Sequence, residues 1–165
     1  MKWFAPHEFD RTEVGGEHWF FRMSPEVLNF LDELRGKLGA PIHLSPVRGS
    51  LGRYMGASFS DHNFEKWGEV RAADIFPTID QTPAAAERFL ELCKSVGVPA
   101  IGCYPHWRNR KGIQQVGFHI GWRPDRVGGP PALWGMTRPT PRSSQQMVPI
   151  TKAFSLVGIK PGEET

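Results

Sequence analysis

Residues 72–76 read Ala-Ala-Asp-Ile-Phe, and this short run decides what kind of fold the chain can form. A brief apolar run bounded by polar residues is typical of a buried strand. Asp74 lies inside the run, where a carboxylate costs free energy unless it is paired, hydrogen-bonded or bound to a metal. We therefore expect a buried strand here that carries a polar site.

Two helices with clear end signals flank this strand along the sequence. Ser24 and Thr82 are each followed by proline, which combines an N-cap residue with proline at the first helical position. Apolar residues then recur at helical spacing as far as Gly39 and Gly97, where glycine favours a helix end. The sequence thus predicts one helix before the Asp74 strand and one after it.

Further strands are indicated at residues 41–45, 98–103 and 116–122. Together with the two helices they predict an α+β fold, a small antiparallel sheet with flanking helices. Beyond residue 122 the chain is rich in proline and glycine and is predicted to be irregular, apart from a candidate short helix at 151–157.

Composition excludes several classes of protein. The 165 residues include 18 glycines and 15 prolines, which favours one loop-rich domain over a helical bundle. Two cysteines exclude a disulfide-stapled scaffold and a zinc site made of cysteine alone. No apolar run approaches the ~20 residues of a membrane span, and a net charge of +3 is too modest to make nucleic acid an expected partner.

The first nine residues contain a lysine but neither the apolar core nor the small-residue cleavage site of a secretory signal. We therefore expect synthesis in the cytoplasm, with export by another route if the protein acts outside it.

Two histidines accompany Asp74 as candidate metal ligands. His119 alternates with Phe118 and Ile120 in its strand and so faces away from them. His62 lies in the polar stretch 46–71 just upstream of the Asp74 strand. Two histidines and a carboxylate suit zinc, with a fourth position for water, but a core histidine and a hydrogen-bonded structural aspartate fit the same pattern.

Five short segments in a fixed order resemble a known family. The chain is similar over residues 5–135 to the zinc D-Ala-D-Ala carboxypeptidases and L-alanyl-D-glutamate endopeptidases, in particular their phage-like branch. The resemblance implies a hedgehog/DD-peptidase-like zinc peptidase domain over residues 1–135, followed by an irregular C-terminal arm over 136–165. The segments that carry it are Ser45-Pro46-Val47-Arg48, Ser60-Asp61-His62, Ala72-Ala73-Asp74-Ile75, Ile101-Gly102-Cys103-Tyr104-Pro105 and Gly117-Phe118-His119-Ile120.

The resemblance also implies roles for individual residues. Arg48 would lie near the substrate carbonyl or carboxylate, where a guanidinium can stabilise developing negative charge. Ser60 and Tyr104 would help to bind or orient the substrate. The implied zinc ligands are His62, Asp74 and His119.

The chain departs from the family pattern at three places. Asp74 follows His62 by twelve positions, a wider spacing than the family usually has. Gln114 and Gln115 occupy the region in which many members have a glutamate that acts as general base. Gly121 stands where the last motif often has an aspartate or a histidine.

The general base is therefore an open question at the level of sequence. His106, in the basic and aromatic loop at residues 104–111, can reach across a cleft towards the last strand. Glu69 and Glu65 lie in the insertion that follows His62. The remaining alternative is that no base is present and catalysis is lost or altered.

The resulting expectation is zinc-dependent hydrolysis of peptide bonds in peptidoglycan stem peptides or cross-links. The absence of a secretory signal suits an enzyme of phage lysis or of the phage tail, made in the cytoplasm and acting on the cell wall. The alternative is a catalytically impaired module of the same fold that binds or serves structurally in a phage particle. The C-terminal arm is then a candidate contact to other particle proteins.

Overall fold

The fold is described by a computed structural model that covers residues 1–11 and 17–163. It contains helices and a mixed sheet, which confirms the α+β class. The helices are α1 (Pro25–Leu38), α2 (Phe64–Trp67), α3 (Pro83–Val96) and α4 (Ile150–Ser155). The strands are β1 (Asp10–Arg11), β2 (Glu17–His18), β3 (Ile42–Leu44), β4 (Ala72–Pro77), β5 (Ala100–Tyr104), β6 (Gly117–Gly121), β7 (Ala132–Thr137) and β8 (Gln146–Val148).

The two long helices begin and end at the predicted residues. The Ser24 hydroxyl accepts the N–H of Val27 at the start of α1, and the Thr82 hydroxyl accepts that of Ala85 at the start of α3. Both helices end at a glycine with a positive φ, which a residue without Cβ adopts at low cost.

Six strands form one sheet in the order β3-β4-β6-β5-β7-β8. Its neighbours are antiparallel except β5 and β7, which run parallel, so the sheet is mixed and not the purely antiparallel sheet expected. The reason lies after residue 122, in the segment that was predicted to be irregular and that contains β7 and β8. The chain leaves β6, crosses one end of the sheet and returns as β7 beside β5, in the direction of β5.

Helices cover one face of this sheet. Phe89 of α3 meets Phe118 of β6 with ring centroids 4.7 Å apart. Gly135 of β7 lies so close to α4 that an added Cβ would come within 2.4 Å of Ala153. The opposite face, bordered by the loops 45–71 and 105–116, carries the polar residues.

The segment 136–165, expected to be an irregular arm, holds the end of β7, all of β8 and α4. Ile150 and Phe154 of α4 are buried and belong to the same hydrophobic cluster as the helices α1 and α3. The expected domain boundary at residue 135 falls inside β7. Among the described residues, no helix has the length and apolarity needed to cross a membrane.

Candidate metal centre

The register of the sheet aligns the candidate site in one row. Asp74 of β4 lies opposite His119 of β6, which in turn lies opposite Gly102 of β5 and, through it, Trp134 of β7. Directly paired residues point to the same face of a sheet. Two predicted ligands are thus neighbours on the face that the helices leave uncovered.

His62 reaches this row from the loop that precedes α2. Its backbone carbonyl accepts the N–H of Arg53 (2.8 Å), and its own N–H donates to the Ser60 hydroxyl (3.3 Å). Its ring Nδ1 lies 2.5 Å from the carbonyl oxygen of Leu51, which can only accept a hydrogen bond. Nδ1 therefore carries the proton, and in the neutral ring Nε2 presents its lone pair to the cluster.

Three donor atoms converge at the centre of the site. His119 Nδ1 lies 3.1 Å from Asp74 Oδ1, His62 Nε2 lies 3.3 Å from the same oxygen, and the two nitrogens are 3.2 Å apart. All three side chains are buried. This group can hold a metal ion.

Charge and burial act against each other in the cluster. Burial by itself would raise the pKa of Asp74, but the neighbouring His62 and His119 hold it well below its usual value. Burial by itself would lower the pKa of His119, but the neighbouring carboxylates of Asp61 and Asp74 have the larger effect. The pKa of His119 is therefore raised. The cluster therefore favours the ionised form of Asp74 and makes His119 easier to protonate than a free imidazole.

Asp61 approaches the outer nitrogen of His119. Its Oδ2 lies 3.6 Å from His119 Nε2, longer than a hydrogen bond but within ion-pair distance, and Nε2 has no hydrogen-bond partner among the described residues. Nε and Nη2 of Arg123 each lie 2.9 Å from the same oxygen. Burial by itself would raise the pKa of Asp61, but His119 and Arg123 lower it by more. The net shift is below the usual pKa, so the carboxyl is ionised at neutral pH.

Aromatic rings border the cluster on the other side. Trp134 lies over Gly102, where an added Cβ would come within 2.6 Å of the indole, and its ring centroid is 5.0 Å from that of His119. The Tyr104 hydroxyl accepts the indole N–H of Trp134 (3.4 Å), and the Tyr104 ring stacks on Trp107 at 3.8 Å. Burial, with the charge of Asp74, raises the pKa of Tyr104 to about 12.

The residues predicted to bind substrate lie in different surroundings. Ser60 supports the turn at His62, and the charge of Asp74 acts on Tyr104, so both belong to the region of the cluster. Arg48 is exposed in a turn, and its side chain makes no hydrogen bond or ion pair within the described part of the chain. Its role in binding a carbonyl or carboxylate stays a prediction.

The candidate general bases contact other groups. His106 Nδ1 accepts the backbone N–H of Arg138 (3.1 Å), and His106 lines a separate cavity of about 580 Å³ that none of the three candidate ligands borders. Glu69 pairs with Arg71 at 2.8 Å, and the Glu65 carboxylate accepts the backbone N–H of Gly56. The structure does not bring any of the three into contact with the cluster.

Sequence reasoning missed two contributors to the site. The carbonyl of Leu51 fixes the proton of His62, and a main-chain acceptor leaves no residue-type signal. Arg123 forms an ion pair with Asp61, which lies 62 positions earlier in the chain. In the sequence, a single arginine after a strand cannot be distinguished from an ordinary surface arginine.

No protein-family model matches the chain, and comparisons with curated proteins and with solved structures find no match either.

Proposed function

We propose that the chain is a zinc-dependent hydrolase that cleaves peptide bonds in peptidoglycan stem peptides or cross-links. The observation that carries the proposal is the mutual spacing of His62 Nε2, Asp74 Oδ1 and His119 Nδ1, 3.1–3.3 Å for each pair. Ligands about 2.0–2.1 Å from a tetrahedral zinc ion stand about 3.3 Å apart. The three atoms therefore fit three corners of such a tetrahedron.

The donor set also favours zinc chemically. Two imidazoles and one carboxylate are borderline ligands that bind zinc well, whereas calcium and magnesium prefer sites made of oxygen. Both histidines face a second group with their outer nitrogen, the Leu51 carbonyl for His62 and the Asp61 carboxylate for His119. Such outer partners orient metal-binding histidines.

Bound zinc would supply Lewis acidity and acidify water at neutral pH. The chain itself contributes positioning and proton donors around that centre. Because its pKa is about 12, Tyr104 keeps its proton at neutral pH and can donate a hydrogen bond to a substrate oxygen. Trp134 and Trp107 position Tyr104, because the Trp134 indole N–H donates to its hydroxyl and Trp107 stacks on its ring.

The proposal of a peptidoglycan substrate depends on the order of short motifs along the sequence. Ser45-Pro46-Val47-Arg48, Ser60-Asp61-His62 and Gly117-Phe118-His119-Ile120 follow the sequence order of the D-Ala-D-Ala carboxypeptidases and L-alanyl-D-glutamate endopeptidases. With that resemblance we propose the hedgehog/DD-peptidase-like fold and a role in phage lysis or in the phage tail.

A second candidate is a catalytically impaired module of the same fold that binds the cell wall or other phage-particle proteins. It is favoured by one observation, that His106, Glu69 and Glu65 each contact groups outside the cluster.

One experiment separates the two candidates. Purified protein is loaded with zinc, its metal content is measured by elemental analysis, and purified sacculi are digested with and without EDTA, with the fragments identified by mass spectrometry. The hydrolase is expected to hold one equivalent of zinc and to release peptide fragments only without EDTA. The His119→Ala variant should lose zinc binding and cleavage. The control is His18→Ala, which changes an exposed histidine and should keep zinc binding and cleavage.

Zinc binding with intact sacculi would favour the impaired module. Less than about 0.2 equivalents of zinc in the folded protein would rule out the zinc-dependent hydrolase.

A further inference from the structure

The cavity of about 580 Å³ that His106 borders lies between three segments of the chain. These segments are the loop between β5 and β6, the stretch that follows β7 and the stretch that follows α4. None of the three candidate metal ligands lines it. The function proposed for the metal centre therefore gives this cavity no role.

Hydrogen bonds join the walls of the cavity to one another. The side-chain amide of Gln114 donates to the carbonyl of Ile159 (2.7 Å), which ties the loop between β5 and β6 to the stretch after α4. Nδ1 of His106 accepts the backbone N–H of Arg138 (3.1 Å), which ties the same loop to the stretch after β7. The cavity is thus already formed without a ligand.

Cationic side chains outnumber acidic ones in the lining. Arg108, Arg138 and Lys160 border the cavity, and Glu163 is the one acidic residue among the described residues that line it. Lys160 Nζ lies 4.0 Å from Glu163 Oε1, so these two exposed charges offset each other. The positive charge of the two arginines is left without a balancing carboxylate in the described lining.

Both arginines have N–H groups available to a ligand. The guanidinium of Arg138 is exposed and makes no hydrogen bond or ion pair with the described residues. Arg108 donates from Nη1 to the carbonyl oxygen of Gly112 (2.7 Å). This acceptor is uncharged and occupies one of the five N–H donors of the guanidinium, so the charge of Arg108 stays unpaired.

The chemistry of the lining indicates the class of ligand. A guanidinium presents its donors as a planar fork that binds the oxygens of phosphate or carboxylate in pairs. Two unbalanced positive charges suit a dianionic phosphate better than a single carboxylate. The described lining contains no Phe, Tyr or Trp on which the bases of a nucleic acid strand could stack.

We propose that this cavity binds the phosphate group of a small phosphorylated ligand, with Arg108 and Arg138 as the residues that contact it. Binding there requires neither a metal ion nor cleavage of a peptide bond, so the site is independent of the proposed hydrolase. The volume of about 580 Å³ lies within the range of roughly 300–1,000 Å³ typical of small-molecule sites, which leaves room for more than the phosphate group itself.

The probes that test the proposal are phenyl phosphate and benzoate, which share a ring and differ in their anionic group. The full chain is isotope-labelled, stripped of metal and dialysed free of chelator, so that neither probe can bind through a metal ion. Each probe is titrated at pH 8, where phosphate is dianionic, and followed by nuclear magnetic resonance. We expect saturable shifts at the amides of Gly112 and Gly158, which line the cavity, and about fivefold tighter binding of phenyl phosphate than of benzoate.

Matched double variants locate the binding. Arg108→Ala with Arg138→Ala should weaken the binding of phenyl phosphate about tenfold, since an exposed ion pair is worth up to about fivefold in affinity. Arg88→Ala with Arg126→Ala removes the same charge from exposed arginines that border other cavities, and should bind phenyl phosphate as the wild type does. Circular dichroism checks the fold of both variants.

Three results would overturn the site: no shift at Gly112 and Gly158, equal affinity for the two probes, or unchanged affinity of the folded Arg108/Arg138 variant for phenyl phosphate. Tighter binding of a single-stranded DNA hexamer than of phenyl phosphate would overturn the assignment to a small ligand. Loss of phenyl phosphate binding in the Arg108/Arg138 variant alone, with the control variant unaffected, would support the site whether or not the protein cleaves sacculi.

Discussion

Replacement of Asp61 by alanine tests whether the outer partner of His119 contributes to metal binding. Asp61 Oδ2 is the charged group nearest to His119 Nε2, at 3.6 Å. Without it, the outer nitrogen of His119 would lose this ionic neighbour. Mutation of such an outer partner of a metal-binding histidine typically lowers metal affinity by about 10- to 100-fold, and we expect a loss of that size in zinc affinity.

The assay is a competition titration of zinc against a chromophoric chelator, with circular dichroism to confirm the fold. Asp61 also raises the pKa of His119, so protons compete with zinc more strongly in the wild type at lower pH. The loss of affinity in Asp61→Ala should therefore be larger at pH 8 than at pH 6.

The control is Asp125→Ala, because Asp125 is exposed and stands 4.0 Å from Arg126 away from the cluster. It should bind zinc as the wild type does. A folded Asp61→Ala protein whose zinc affinity at pH 8 stays within twofold of the wild type would refute the role assigned to Asp61.

Three further predictions concern the fold and its metal. Gly102→Ala places a Cβ 2.6 Å from Trp134, so urea unfolding should show a loss of about 1–3 kcal/mol, and an unchanged midpoint would contradict the close approach. The N–H groups of Lys2, Trp3 and Phe4 outweigh burial and lower the pKa of Asp32. The stability that this contact adds is therefore present at neutral pH and lost as pH falls through that lowered pKa; Asp32→Asn should flatten this part of the acid-unfolding curve, and an identical curve would argue against the contact. Chelation should lower the melting temperature of the zinc-loaded wild type but leave that of His119→Ala unchanged, and equal shifts in both would show that EDTA acts elsewhere.

The sequence predicted those parts of the fold that depend on local chemistry. Ser24, Gly39, Thr82 and Gly97 mark the ends of α1 and α3 because capping depends on the residue type at one position. The strand pairing between β5 and β7 was not predictable in this way. It depends on where the chain returns after residue 122, which is decided by packing over the whole sheet.

The same division applies to the site. Alternation along its strand placed His119 away from Phe118 and Ile120, and the cost of a carboxylate inside an apolar strand marked Asp74 as a candidate site residue. The structure brings both together with His62. The candidate general bases were proposed because they lie near the site in sequence. Nearness in sequence does not predict where the side chains of a loop point. His106 turns towards the end of β7 because the backbone N–H of Arg138 offers it a partner there.

The three donor atoms come from segments far apart in the chain. His62 and His119 are 57 positions apart and meet only when the loop before α2 folds onto β6. An ion held by both would act as a cross-link, comparable to a disulfide in a chain whose two cysteines are buried and free. Closing a loop of this length is worth about 4 kcal/mol in the chain-entropy description. The centre proposed for hydrolysis would then also hold the loop before α2 against the sheet.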